Sequence, residues 1–296
     1  MGMIIPVKYW NEGLLYGQLK NEKEPSMKDY QLIQKYLKIG KRPQLTLLQD
    51  YQSRCRKFEI VGESSGQKPQ MGLIHVHCER KDTDCCVIIY ASFNKGFAKG
   101  VHRLIEHLQA SDYKGAILYR IGGWPNAEGG DLRLAHVPYA FKVCMFREAQ
   151  RLGYKKILWL DSSILPLVSV NLLFKEIKEK GYFVMGNSHN IGPYMNENAA
   201  QALGVSLEES FHIPSCSAGL FGIDFSCPQA AAVLQDWYMA AMDPWAFYSS
   251  RSDQNALSII LYKHHMQDLK PIARLAHGRE QINKDSLFLI ERDFVH

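Results

Sequence analysis

Long apolar runs and a cysteine framework are both missing from this sequence of 296 residues. No run reaches the roughly 18 apolar residues that a membrane-spanning helix needs, and the opening MGMIIPVKYWNEG lacks the basic leader of a signal peptide. The seven cysteines are an odd number in a chain large enough to have its own core, which is untypical of a disulfide-stabilised secreted protein. We therefore expect a cytoplasmic protein with reduced thiols.

The sequence also has only a small excess of positive over negative charge. The 35 basic and 30 acidic residues leave a formal net charge of +5, and the basic residues form no concentrated stripe of the kind that nucleic-acid-binding domains carry. We therefore expect no nucleic-acid partner. The mild positive charge suits an anionic small molecule and permits peripheral contact with a membrane surface.

Two common classes of site lack their motifs. A P-loop is excluded because Gly66 follows Gly62 too closely and Lys68 does not come directly after it. A zinc site is disfavoured because His75 and His77 share one strand face while Cys78 points to the other, and the chain has no C-x-x-C.

Short β-rich runs alternate with amphipathic helical segments in the middle of the chain. The predicted strands are 73–78, 86–91, 117–121 and 156–160, and the predicted helices include 141–152 and a segment from Ser169 to Gly181. Strands that alternate with helices favour an α/β fold with a mostly parallel central sheet covered by helices on both faces. We expect one such domain over 73–296, preceded by a small mixed N-terminal extension and linker over 1–72.

The clearest chemical signal is the strand 156–160, which ends abruptly in Asp161, Ser162 and Ser163. A carboxylate is costly to bury, so Asp161 is expected at the mouth of the sheet, where ligands of α/β proteins bind. In extended backbone, Asp161 and Ser163 would point to the same side, and two such oxygens could hold a cation that bridges a diphosphate. The same three residues also suit a plain turn.

Several further motifs follow in a characteristic order: Phe141-Lys142, Ala149, Gly153-Tyr154, the strand before Asp161, SAGLFGID over 217–224, the Asp-Gln pair after Ser252, and His277-Gly278. Together they resemble the GT-A fold glycosyltransferases, which depend on nucleotide sugars, over roughly residues 84–290. The resemblance implies an enzyme that moves a sugar from a UDP- or GDP-sugar to a hydroxyl of a glycan or lipid-linked acceptor. It implies that the donor is bound by Ala91, Ser92, Phe93, Arg120, Trp124, Lys142, Asp161, Ser162 and Ser163.

A metal ion is part of that expectation. The resemblance implies Mn²⁺ or Mg²⁺ bound by Asp161, Ser163 and His277. Because the second acidic position of the Asp-x-Asp motif is Ser163 here, the ion should bind weakly without nucleotide or be dispensable. Lys142 or Arg120 would then offset the charge of the leaving diphosphate.

Two roles for the remaining carboxylates stay open. Asp253, with Asp224 behind it, is the candidate base that would deprotonate the acceptor in an inverting reaction. Asp253 also suits a purely structural role, since an acid at a helix start interacts favourably with the helix dipole. The missing second acid equally supports an alternative function, that of a non-catalytic relative that only binds nucleotide sugars.

Overall fold

The computed structural model describes residues 69–93, 96–125, 134, 137–243 and 245–292. Most of the predicted N-terminal extension therefore lies outside the described residues. The same is true of the larger part of the Gly-rich segment 122–131.

A six-stranded sheet in the order β1-β3-β2-β4-β7-β6 forms the centre of the described part. Its strands are β1 (Gln70–Val76), β2 (Cys85–Ala91), β3 (Gly115–Ile121), β4 (Lys156–Leu160), β6 (Tyr182–Asn190) and β7 (Pro214–Asp224). A second, three-stranded sheet has the order β5-β9-β8 and consists of β5 (Ile164–Pro166), β8 (Leu275–Ala276) and β9 (Phe288–Ile290).

The helices of the described residues connect these strands and cover the large sheet. They are α1 (Phe97–Ala110), α2 (Phe141–Arg151), α3 (Val170–Lys180), α4 (Glu197–Ala202), α5 (Leu207–Ser210), α6 (Pro228–Met242) and α7 (Ser252–Lys263). Local interactions explain where two of these helices begin and where one of them ends. The side chains of Asn196 and Ser206 accept hydrogen bonds from the first turns of α4 and α5, and Gly181 ends α3 in a left-handed conformation, φ 84°.

The α/β prediction is confirmed, but the sheet is mixed and not mostly parallel. In this sheet only the pairings of β3 and β4 with β2 are parallel, whereas β1–β3, β4–β7 and β6–β7 are antiparallel pairs. The alternation of strand and helix signalled the parallel β2-α1-β3-α2-β4 segment correctly. Nothing in the hydrophobic pattern of β1, β6 or β7 indicates strand direction, so the prediction extended the parallel order too far.

Two predicted boundaries also move. The predicted N-terminal extension and linker over 1–72 reaches into β1, because Gln70 and Met71 already pair with Ile121 and Arg120. The sequence placed Asp253 at a helix start, and α7 begins one residue before it, at Ser252, with Arg251 at the cap position.

The two faces of the large sheet carry separate apolar cores because successive strand residues point to opposite sides. On β2, Cys86, Ile88 and Tyr90 face the core that contains α2, α6 and α7. Val87 and Ile89 face the core that contains α1, α3 and the small sheet. The carboxyl ends of β2, β3 and β4 therefore lie at one edge of the sheet between two well-packed layers. Within the described residues, no helix is long and apolar enough to cross a membrane.

Replacing Trp237 with Ala tests the first of these cores. Trp237 is 1% exposed and its ring contacts Phe146 and Phe221 edge-on, with centroids 6.3 and 5.9 Å away. Loss of this side chain should lower the free energy of unfolding by about 3–5 kcal/mol, measured by urea denaturation. Met239→Ala on the same helix is the matched control, because Met239 is 55% exposed and its loss should cost under about 0.5 kcal/mol. Equal losses in both variants would contradict this account of the core.

Candidate functional site

A buried lysine organises the carboxyl edge of the sheet. Lys142 lies in the first turn of α2 and is only 4% exposed. Its ammonium group lies 2.9 Å from Asp253 Oδ2 and 3.3 Å from Asp161 Oδ1, and it donates a hydrogen bond of 3.0 Å to the carbonyl oxygen of Ala218. The contact with Ala218 is a hydrogen bond, and the two carboxylate oxygens lie at ion-pair distance. We call Lys142, Asp161 and Asp253 the lysine cluster.

Aromatic rings hold the lysine in this place. Phe141 stacks on Tyr90 of β2 with ring centroids 4.2 Å apart, which fixes the start of α2 against the sheet. The Lys142 ammonium lies 5.5 Å from the Trp159 ring centre and 5.3 Å from that of Tyr139, both within range for cation–π attraction. The surroundings of the charge are therefore apolar except where oxygen atoms are placed to meet it.

The two carboxylates of the lysine cluster differ in their exposure. The side chain of Asp161 is 40% exposed, whereas that of Asp253 is only 6% exposed. Burial raises the pKa of the Asp253 carboxyl, and the adjacent Lys142 ammonium offsets part of that rise. For Lys142, burial alone would lower the pKa, but the carboxylates of Asp161 and Asp253 raise it well above its usual range. Asp161 is thus the member of the cluster that a ligand can reach.

Residues after β4 form a turn and not an extended segment. The backbone N–H of Ile164 donates to the carbonyl of Asp161 at 2.8 Å, and Ser162 and Ser163 are buried. The prediction that Asp161 and Ser163 share one face of an extended strand is therefore wrong. Asp161 is instead oriented by Trp159, whose indole N–H donates to Asp161 Oδ1 at 2.7 Å, and by its own N–H, which donates to Gly219.

Gly219 matters here because Asp161 lies against it. A Cβ atom at this position would lie 2.7 Å from Asp161 Oδ2 and 3.2 Å from Asp161 Cγ. Any larger residue would push the carboxylate out of its place. The sequence SAGLFGID contains two glycines and does not tell which of them contacts the Asp161 carboxylate. The pairing of Leu160 with Leu220 identifies that glycine as Gly219.

The predicted donor residues come to the same edge, as expected for the ends of parallel strands. Ala91 pairs with Ile121 at the ends of β2 and β3, and the N–H of Gly122 donates to the carbonyl of Ala91 at 2.7 Å. Ser92 and Phe93 follow directly, and Phe93 packs so closely against Gly122 that no Cβ fits there. Trp124 is partly buried against the core on the α2 side.

Two predicted residues are not where the prediction needed them, and a third lies level with the turn but two strands away from it. Arg120 is buried and paired through two hydrogen bonds with Glu148 of α2, so its charge is already compensated. Asp224 pairs with Lys156 in the β4–β7 register, which places it at the opposite edge of the sheet from Asp161. It cannot support Asp253, and its Oδ1 accepts from the N–H of Ser226 in a turn. His277 follows β8, and the strand registers place it level with Ile164, separated from β5 by β9. Its predicted role as a metal ligand stays a prediction.

The donor set does not fit the predicted Mn²⁺ or Mg²⁺ site. Asp161 Oδ1 already accepts from Trp159 and lies beside the Lys142 ammonium, and Ser163 is turned into the protein. Among the described residues, no group of three or more His, Cys, Asp or Glu side chains could hold a metal ion. Asp161 has the Lys142 ammonium group beside it instead, 3.3 Å away.

A polar row that sequence reasoning missed extends past the lysine cluster along β7. The hydroxyl of Ser215 accepts hydrogen bonds from the side-chain amides of Asn187 and Gln254, at 3.0 and 3.1 Å. Asn187 also donates to the carbonyl of Cys216 at 2.7 Å. The pairing of β4 with β7 ends at Leu160 and Leu220, so this segment of β7 projects beyond the end of β4. The only available signal was the Asp-Gln pair at 253–254.

Comparison with known proteins adds no identity. A scan against protein-family models gives no match, and no curated protein matches the sequence. Inferences about function therefore depend on the geometry of the edge of the sheet.

Replacing Lys142 with Met should destabilise the protein by about 3–5 kcal/mol near neutral pH, because Asp253 then stays buried without a counter-charge. The pKa of Asp253 is raised in the folded state, so protonation favours folding. The destabilisation should accordingly shrink as the pH falls toward the unfolded-state pKa of about 3.9. Urea denaturation of the variant and the wild type across this pH range measures both effects.

The double variant Lys142→Met with Asp253→Asn is the control. Removing both charges should recover much of the lost stability at neutral pH. The difference in stability from the wild type that Lys142→Met alone shows between neutral and acidic pH should then disappear. A loss in Lys142→Met that is the same at all pH values would show that Asp253 is not the charge left behind.

Proposed function

We propose that the chain is a GT-A type glycosyltransferase that moves a sugar from a nucleoside diphosphate sugar to a hydroxyl acceptor. The observation that carries the proposal is the position of Asp161: a partly exposed carboxylate, oriented by Trp159 and Lys142, at the edge where β2, β3 and β4 end. Ligands of α/β proteins bind outside the carboxyl ends of such strands. The loops 91–93 and 122–124 lie beside it at the same edge.

The chemistry of sugar transfer suits this arrangement. As the bond between sugar and diphosphate breaks, the anomeric carbon becomes cation-like and negative charge grows on the leaving oxygen. Asp161 Oδ1 is held by Trp159 and Lys142, so Oδ2 is the oxygen that accepts a hydrogen bond from a donor hydroxyl. A carboxylate fixed in this way positions the sugar and requires no reorganisation during the reaction.

Asp253 has a different role in this proposal from the one that the sequence suggested. Its carboxylate is buried and paired with Lys142, so it does not reach an acceptor hydroxyl. It acts as a positioning residue that keeps Lys142 charged and in place beneath Asp161. In the polar row, the buried hydroxyl of Ser215 holds the partly exposed amides of Asn187 and Gln254, and amides are groups that bind the hydroxyls of a glycan acceptor.

A second candidate, a protein that binds nucleotide sugars without turnover, is favoured by the same burial of Asp253. The sequence offered Asp253 as the base, and a paired carboxylate that is 6% exposed abstracts no proton from an acceptor. This candidate predicts nucleotide-sugar binding that is unaccompanied by release of nucleoside diphosphate.

Replacing Asp161 with Asn tests the transferase. The assay measures release of nucleoside diphosphate by the wild type with a panel of UDP- and GDP-sugars and glycan acceptors. The variant should release it about a hundredfold more slowly, or slower still, because Asn keeps the shape of the Asp161 side chain but loses its oriented negative charge. The matched control is Asp285→Asn, an exposed aspartate in the turn before β9, which should leave the rate unchanged. Binding of a nucleotide sugar without release in the wild type would favour the second candidate, and no binding across the panel would contradict both.

A further inference from the structure

An arginine without a counter-charge lies three residues before Gln254 of the polar row. Arg251 directly precedes α7, and its guanidinium carbon lies 4.0 Å from the centre of the Tyr194 ring, within range for cation–π attraction. Within the part of the chain that the structure describes, the Arg251 side chain has no carboxylate at ion-pair distance and donates no hydrogen bond. The side chain is partly exposed, so its positive charge is available to a ligand.

The ring beneath this arginine is tied to the start of the same helix. The carbonyl of Tyr194 accepts hydrogen bonds from the Asn255 side chain at 3.0 Å and from the Ser250 hydroxyl at 3.1 Å. The ring and the backbone on either side of Arg251 are therefore held together, which limits the positions open to the guanidinium group. Guanidinium groups that are held in this way bind carboxylate and phosphate through charge-assisted hydrogen bonds.

A histidine of β6 contacts the same ring. The rings of His189 and Tyr194 meet edge-on with their centres 4.9 Å apart, and His189 Nε2 is buried without a hydrogen-bond partner among the described residues. Burial, and then the charge of Arg251, lowers the pKa of His189, so its ring is neutral near pH 7. An unpaired charge and an unpaired polar atom thus lie against one tyrosine, and groups left unpaired in this way are uncommon where no ligand binds.

These groups continue the polar row. Asn187 and His189 are two residues apart on β6 and both are partly buried, whereas the residue between them is exposed, so the two side chains leave the strand on the same side. On α7, Gln254 follows Arg251 by three residues. The polar row and the arginine therefore share two supporting elements, β6 and the start of α7. A glycan that binds along the row meets the charge of Arg251.

We propose that Arg251, supported by the Tyr194 ring, binds an anionic group of the acceptor, either a carboxylate or a phosphate. The inference deepens the proposed function and rests on it for the role of the bound glycan as acceptor. It gives the acceptor class as an acidic or phosphorylated glycan, because a site that offers hydrogen-bond donors discriminates against a ligand that leaves them unpaired. His189 adds a neutral polar group beside the arginine and no second charge.

Glucuronic acid and glucose 6-phosphate are the probes, with glucose as their neutral counterpart, and affinity for the full chain is measured by NMR titration. The wild type should bind at least one of the charged sugars about tenfold more tightly than glucose, since a charge-assisted hydrogen bond is gained. The sugar that binds more tightly shows whether the group is a carboxylate or a phosphate.

Variants of the arginine test its role directly. Arg251→Gln should bind the charged sugars no more tightly than glucose, and Arg251→Lys should keep part of the preference, because it retains the charge but not the planar fork. Arg274→Gln, at an exposed arginine before β8, is the matched control and should bind all three sugars like the wild type. None of these changes removes a buried side chain, so thermal unfolding of each variant should match that of the wild type.

The results separate this inference from the transferase itself. Equal affinity of the wild type for glucose and both charged sugars, or unchanged affinities in Arg251→Gln, would overturn the anion subsite even if sugar transfer were observed. Binding that depends on Arg251, in a chain that neither binds nor turns over any nucleotide sugar, would support the subsite and defeat the proposed function. Inorganic phosphate or acetate that binds as tightly as the charged sugars would show that the site takes a free anion, and this would overturn its assignment to an acceptor glycan.

Discussion

A charged ammonium group in an apolar interior is stable only where oxygen atoms replace the water that it has lost, and Lys142 obtains these oxygens from three separate elements. Asp161 follows β4, Ala218 belongs to β7, and Asp253 lies in the first turn of α7. The lysine cluster therefore joins two strands and two helices at one point. The position of Asp161 depends on this contact as much as on its own strand.

The requirement to keep Lys142 charged also decides which carboxylate can react with a ligand. One acid must be buried with the ammonium group, and Asp253 fills that role at 6% exposure, which leaves Asp161 at 40% exposure as the accessible one. The sequence assigned Asp161 to the donor and Asp253 to the acceptor, but it gave no sign that the two carboxylates differ in burial. Their different roles follow from how deeply each carboxylate is buried, and this is set by the packing of α2 and α7 against β7.

The sequence was a good guide to features with local causes and a poor guide to features that depend on pairing. The limits of β4, and those of α3 between Ser169 and Gly181, follow from periodicity and cap chemistry, and they agree with the structure. The strand β6, the small sheet and the position of Asp224 at the far edge depend on which strands pair and in which direction. Short-range patterns carry little of that information, so Asp224 was grouped with residues that it does not meet.

The turn from Asp161 to Ile164 lies between two charged groups of different character. On the α2 face, Lys142 is buried and its charge is matched by carboxylates, so it can orient Asp161 but has little charge left for a ligand. On the α1 face, Glu291 is shared by Arg103 and Arg279, and its backbone N–H donates to the carbonyl of Ser163. The turn is therefore held from both faces of the sheet, and this fixes the backbone that carries Asp161.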